Sequence, residues 1–391
     1  MSDWRLDQDE RAELTDLLAG LVRIPSPDPP GDEAAMARFL GDWLREREFD
    51  VRADEFAPNR INLLARLPGS GGKPALVFSA HMDTMPIGSH GGDGAWEHDP
   101  FGAEITDGRL YGRGAADMKS GLAAMAAAAL KVKRAGSDLA GDLVLAFSAG
   151  ESSNCIGAKR MVEAGDLNGA GALLVSEPSS LGLLTAETGA LWLEVAAAGR
   201  PGHASAGAAD NAILKVLDFL GAVRDNPFAE HSHPLLGPAT LAINTIGGGT
   251  AVNLTADQAR ATLDIRTVPG MTTAAVLASL TEMAGDAVTI RILDEKPSVV
   301  TDPADGFVGL CADAVARVTG TRPEPAGVNY FSDSSVLAPG LDVPRVIIGP
   351  GEAGMSGQRD EWVELEAVHA AAAVYGEIAG AYLSDGSIRD S

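Results

Sequence analysis

Apolar residues at Leu14, Leu17, Leu18, Leu21 and Val22 have the three-and-four spacing of one helical face, predicting a helix over 9–22. Ile24-Pro-Ser-Pro-Asp-Pro-Pro-Gly31 breaks that pattern and predicts a loop. A second helix is predicted over 33–48, with Met36, Phe39, Leu40 and Trp43 on one face. Residues 49–53 and 61–67 read as strands, and the apolar run from Ala75 to Phe78 reads as a buried one. An Ala-rich helix is predicted over 118–135, followed by apolar strands over 142–148 and 173–176. From residue 187 the pattern changes to strand (191–196), helix (211–223), strands (239–246 and 258–266) and helix (272–284). This βαββαβ-like order predicts a small two-layer sandwich of about 110 residues. The expected fold class is α/β. A main domain with a central mixed sheet flanked by helices spans 1–186 and 298–391, and a smaller α+β two-layer sandwich is inserted at 187–297.

The length of 391 residues allows two domains, and 46% apolar residues is ordinary for a globular chain. Thirty basic against 54 acidic residues leave a net charge of −24, which disfavours nucleic acid as a partner. Cys155 and Cys311 are too few for a disulfide framework and fit a reducing compartment. The polar N-terminus has no signal-peptide core, and no run of 18 apolar residues exists. A cytoplasmic chain with no membrane partner is the expectation.

The candidate chemistry lies at the ends of the predicted strands. The strand from Ala75 leads into His81-Met-Asp83, and on extended chain the side chains of His81 and Asp83 point the same way. A carboxylate that holds one imidazole nitrogen frees the other for a metal, so Asp83 is expected to orient His81 as a ligand. Glu151 ends the next apolar strand, Glu177 the one after, and Asp117 sits on a Gly-rich turn that feeds a helix. Alone, Asp117 would read as a helix cap. Convergence of four such positions at strand carboxyl ends is what a metal or catalytic site looks like. His90, His98, His231 and His233 read as solvent-facing or structural, and Cys155 as a buried, inert thiol.

The segments Ser79-Ala-His-Met-Asp-Thr84, Tyr111-Gly-Arg-Gly-Ala-Ala-Asp-Met-Lys-Ser-Gly121, Ser148-Ala-Gly-Glu151, Ser176-Glu-Pro178, Gly199-Arg-Pro-Gly-His-Ala-Ser205, Gly248-Gly-Thr-Ala-Val-Asn253, Asp264-Ile-Arg-Thr-Val-Pro-Gly270 and Gly349-Pro-Gly351 occur in this order over nearly the whole chain. In them the sequence resembles the M20 metallopeptidases, which include acetylornithine deacetylase, succinyl-diaminopimelate desuccinylase, aminoacylase-1 and carboxypeptidase G2. The resemblance implies two zinc ions bridged by Asp117, one of them completed by His81 and Glu177. It implies Glu151 as general base and Asp83 as the support of His81. His203, from the inserted dimerisation or lid domain, would stabilise the oxyanion, often across a homodimer. Arg266, helped by Asn253, would grip a substrate carboxylate, and Asp333 would support the site from behind.

Two positions depart from that pattern. The expected Glu-Glu pair reads Glu151-Ser152, and the C-terminal His position falls on Gly357. Both departures strike ligands of the same zinc, whereas His81, Asp117 and Glu177 of the other are intact. His369 is too far along to substitute and reads as part of the C-terminal helix. The preferred expectation is a zinc amidohydrolase holding one Zn2+ per chain, with Co2+ or Mn2+ as substitutes, and acting on an N-acyl amino acid or small peptide. The alternative is an acyl-transferring, amide-forming or cyclising enzyme on the same scaffold, and the third is a non-catalytic binding relative.

Overall fold

The computed structural model describes residues 4–88, 96–136, 138–206 and 210–384. The chain opens with α1 (Gln8–Val22) and α2 (Ala34–Glu46). A capping box starts α1: the Asp7 carboxylate accepts from the Glu10 amide, and Glu10 accepts from the Asp7 amide. β1 (Asp50–Ala57), β2 (Arg60–Leu67) and β3 (Ala75–His81) come next, then the short β4 (Glu104–Thr106) and β5 (Arg109–Tyr111), and then α3 (Ser120–Arg134). β6 (Leu143–Ser148), α4 (Ile156–Ala164), β7 (Ala170–Val175) and β8 (Leu184–Glu187) follow.

The next stretch runs β9 (Gly189–Ala198), α5 (Ala212–Val223), the two-residue β10 (Ser232–His233) and β11 (Gly237–Pro238), β12 (Thr240–Gly248), β13 (Gln258–Thr267), α6 (Thr273–Ala284) and β14 (Thr289–Lys296). β15 (Val299–Val300), α7 (Gly306–Thr319), β16 (Ala326–Val328), α8 (Ser334–Leu341), β17 (Arg345–Ile347), β18 (Trp362–Glu364) and α9 (Leu365–Leu383) close the chain.

The chain divides into two units. The larger comprises residues 1–185, 301–326 and 332–391, the smaller 186–300 and 327–331. In the larger unit the sheet order is β1-β2-β6-β3-β7-β17-β8. β3 lies between β6 and β7 and is parallel to both, while β2 pairs antiparallel with β6, so the sheet is mixed. β3 and β6 are buried almost throughout, as expected for strands covered on both faces. The core gathers Phe78, Leu145, Phe147, Met125, Tyr375 and Ile378 from the sheet, α3 and α9. His369 lies on α9, where its Nε2 is 3.1 Å from Thr15 Oγ1.

In the smaller unit the four strands run β12-β13-β9-β14, all antiparallel. Leu191, Leu193, Val195, Leu263 and Ile265 pack against Val216, Phe219 and Leu280 of α5 and α6, forming a second core separate from the first. Gly327–Phe331 belongs to this unit as well, and no periodicity in the sequence announces it.

Candidate metal centre

The parallel order β6-β3-β7 brings three adjacent carboxyl ends together. β3 ends in His81, opposite Ser148 at the end of β6, and β7 leads two residues on to Glu177. Asp117 arrives on the turn before α3, where its own φ of −126° and ψ of 95° lie outside helical geometry. The helix that follows has Lys119 at its N-cap, so Asp117 does not cap it, and its carboxylate is aimed at His81. His81 Nε2 is 3.1 Å from Asp117 Oδ1 and 3.9 Å from Glu177 Oε1. One ligand atom from each of His81, Asp117 and Glu177 lies within 4.8 Å of the other two. One imidazole nitrogen and two carboxylates converging this closely are a donor set that suits a zinc-like ion.

The support of His81 differs from the sequence expectation. Its Nδ1 faces the main-chain carbonyl of Asp83 at 2.9 Å, while the Asp83 carboxylate stands 3.7 Å away. That carboxylate instead accepts the amides of Glu151 and Ser152, each at 3.0 Å. The carbonyl fixes the imidazole so that Nε2 faces the other ligands, and the carboxylate organises the loop that carries Glu151. Asp117 is held in turn by Glu361. The Ala116 and Asp117 amides donate to Glu361 Oε1 at 3.0 and 3.1 Å, and Arg113 donates to Glu361 Oε2 at 2.8 Å. Arg113 and Glu361 carry no ligand signature in the sequence; only the Gly-Arg-Gly within the Tyr111–Gly121 segment marked the neighbourhood of Arg113.

Ser152 and Gly357 stand at the two positions that depart from the family pattern. Ser152 is exposed and offers only a hydroxyl. Gly357 offers no side chain, and its carbonyl accepts from Arg113 at 3.0 Å. The second oxygen of Asp117, Oδ2, accepts a hydrogen bond from the Ser356 hydroxyl. The residues present at His81, Asp117 and Glu177 fit a metal ion.

The electrostatics follow from burial and crowding. Burial opposes charge on His81, but Asp83, Asp117 and Glu177 carry its pKa well above the ordinary imidazole value. Burial also opposes charge on Asp117, yet the His81 hydrogen bond and charge bring its pKa below the usual carboxylate range. Glu151 is pushed well above that range, first by burial and then, against the pull of His81, by Asp333, Asp83 and Asp117. Burial raises Asp333 to about 6 although it accepts a hydrogen bond from Ser148. Cys155 is buried.

His203, Asn253 and Arg266 lie in the smaller unit. His203 is exposed, with Nδ1 2.7 Å from Ser205 Oγ, and its segment joins that of Asn253 through the Ala204 amide and the Asn253 carbonyl. Arg266, one residue before the end of β13, donates to Asp264 at 3.0 Å and stands 5.6 Å from the Phe331 ring centroid. His98 stacks on Tyr111 and pairs with Glu104, and His233 sits in the β10–β11 hairpin. His90 lies outside the described residues.

Comparison with known proteins identifies the family of the chain. Residues 77–381 match peptidase family M20/M25/M40. Succinyl-diaminopimelate desuccinylases from Methylobacterium radiotolerans and Parvibaculum lavamentivorans are each 32% identical, covering 94% of this chain and 96% and 95% of theirs. Among solved structures, an M20 family metallo-carboxypeptidase from Sulfolobus solfataricus superposes with a TM-score of 0.80 at 18% identity, over 96% of this chain and 99% of that one. A dinuclear metal-binding peptidase of family M20 from Bacillus subtilis gives 0.75 at 18% identity, over 96% and 99%. At these identities the structures attest the fold, and with the sequence match they place the chain in peptidase family M20/M25/M40.

Proposed function

We propose that this protein hydrolyses the amide bond of an N-acyl amino acid or small peptide, using a single divalent ion, zinc by preference, at His81, Asp117 and Glu177. The observation that carries the reading is the three-ligand cluster beside Glu151, together with Ser152 and Gly357 at the two positions that depart from the family pattern. An ion held there supplies positive charge that acidifies water and polarises an acyl carbonyl. Asp117 and Glu177 neutralise that charge, and His81, fixed through Nδ1, offers Nε2. Glu151 takes the proton from the attacking water and returns it to the leaving amine nitrogen. Arg266 fits a substrate carboxylate, because a guanidinium binds one through two parallel hydrogen bonds. His203 fits the oxyanion, as an imidazolium or N–H donor. In the M20 resemblance, both residues come from a domain that also forms a homodimer.

The named relatives direct the first substrate to try. The zinc-loaded chain should be given N-succinyl-diaminopimelate, N-acetyl amino acids and dipeptides, with zinc counted by elemental analysis. One zinc per chain with release of a free amine is the expected outcome. No hydrolysis of any member of the panel after loading would overturn the reading. The loss of Glu at 152 and His at 357 favours a second reading, acyl transfer to an amine. It predicts a product that appears only when an amine acceptor is added with the acyl donor.

A further inference from the structure

The loop that carries Glu151 is gripped by a buried charge network that has no part in the metal cluster. Arg60, the first residue of β2, is 8% exposed. Its Nη1 donates to Asp28 Oδ2 at 3.0 Å and to Glu33 Oε1 at 2.8 Å. Its Nη2 donates to Asp28 Oδ1 at 2.8 Å, to the Pro30 carbonyl at 3.2 Å and to Ser153 Oγ at 3.2 Å. The same two carboxylates reach across to the Glu151 loop: Glu33 Oε1 accepts the Gly150 amide at 3.1 Å, and Asp28 Oδ1 accepts the Ser153 hydroxyl at 2.7 Å. With the Glu151 and Ser152 amides donating to the Asp83 carboxylate, each of the four residues 150–153 is tied to a buried carboxylate.

Two glycines make room for this arrangement. A Cβ on Gly31 would fall 1.8 Å from Arg60 Cζ, and one on Gly150 would fall 2.8 Å from Arg60 Nη1; both have positive φ, +87° and +71°. The chain on either side of the guanidinium is therefore shaped to it. Asp28, Glu33 and Asp83 also bring carboxylate oxygens within 4.8 Å of one another, the look of a second cation site. Its cation is already present, since Arg60 lies on Asp28 and Glu33 at 2.8 Å.

We infer that Arg60, with Asp28 and Glu33, is the positioning device that fixes the loop of Glu151 against the end of β3. The inference rests on the reading of Glu151 as general base. A planar fork that engages one carboxylate with two nitrogens sets orientation as well as charge, which a lysine ammonium cannot do. A base displaced by about 1 Å loses rate without losing substrate affinity, so the signature falls on kcat.

The test uses Arg60→Lys and Ser153→Ala in the zinc-loaded full chain. Hydrogen exchange followed by mass spectrometry should show the amides of 149–155 exchanging about ten-fold faster in Arg60→Lys, and less so in Ser153→Ala, while 75–81 and the zinc content stay unchanged. With whichever N-acyl substrate the wild type hydrolyses, kcat should fall about 10- to 100-fold in Arg60→Lys with KM within about three-fold, and the acid limb of its pH profile should move. Unchanged exchange over 149–155 in both variants overturns the clamp. So does faster exchange throughout the larger unit with loss of zinc, or local loosening with unchanged kcat. Should Arg60→Lys fail to fold, Ser153→Ala decides by the same measurements. A wild type that hydrolyses nothing, with local loosening in the variants, overturns the proposed function and not the clamp.

Discussion

At the residue scale, two of the three proposed ligands are held through main-chain groups: the Asp83 carbonyl stands behind His81, and the Asp117 amide donates to Glu361. The identities of His81, Asp117, Glu151 and Glu177 were legible because short motifs sit at strand ends. Their supports were not, because a carbonyl can be supplied by any residue, and Glu361 reaches Asp117 across a separation of 244 residues. Glu151→Gln should keep one zinc per chain and lower kcat by about 100- to 10,000-fold, the usual share of a general base; elemental analysis beside steady-state kinetics checks this. His81→Ala should abolish zinc binding and activity together. Restoring the family-like His by Gly357→His carries its own cost. Gly357 has φ of +69°, a conformation that disfavours any residue with a Cβ by about 1–2 kcal/mol. Denaturant titration of Gly357→His without metal should show that loss, and Ser152→Glu, at a residue free of that constraint, should show little.

At the element scale, the site exists because β6, β3 and β7 are adjacent and parallel, which puts three consecutive strand ends on one edge. The strands themselves were readable from apolar runs; their order was not, since β2 and not β7 continues the sheet beyond β6. The start of α3 was also misplaced. The predicted helix begins at Met118, but a kinked turn occupies Ala115–Lys119 and regular helix starts only at Ser120, because Asp117 and Met118 take non-helical angles. That turn draws Lys119 inward, where its Nζ donates to the Ile24 carbonyl at 2.7 Å and burial lowers its pKa to about 7. The sign of the consequence is fixed. Between about pH 7 and 10.5 the unfolded chain holds a proton that the folded chain has released, so folding stability contributed by Lys119 rises with pH across that window. The slope from this one group is at most about 1.4 kcal/mol per pH unit. In Lys119→Met the corresponding rise should disappear from urea midpoints measured between pH 7 and 10; an identical pH dependence in wild type and variant would refute the assignment.

At the scale of the whole molecule, the two units have separate hydrophobic cores, one built on Phe78, Phe147 and Tyr375 and the other on Leu193, Phe219 and Ile265. Every residue of the proposed ion site belongs to the larger unit. A ligand stabilises only the cooperative unit that binds it, by RT ln(1 + [L]/Kd), about 2.7 kcal/mol at one hundred times Kd. Separate cores predict separable unfolding transitions. Scanning calorimetry with and without zinc should therefore move one transition upward and leave the other in place, and a chelator should reverse the shift. The identity of the moving transition follows from mutation: Phe219→Ala, in the core of the smaller unit, should lower the zinc-independent transition by several kilocalories' worth of stability, about 3–5 kcal/mol, while His81→Ala should remove the zinc response of the other. A single transition that shifts as a whole would mean that the two cores melt as one cooperative body, and the ion's stabilisation would then be shared by the whole chain.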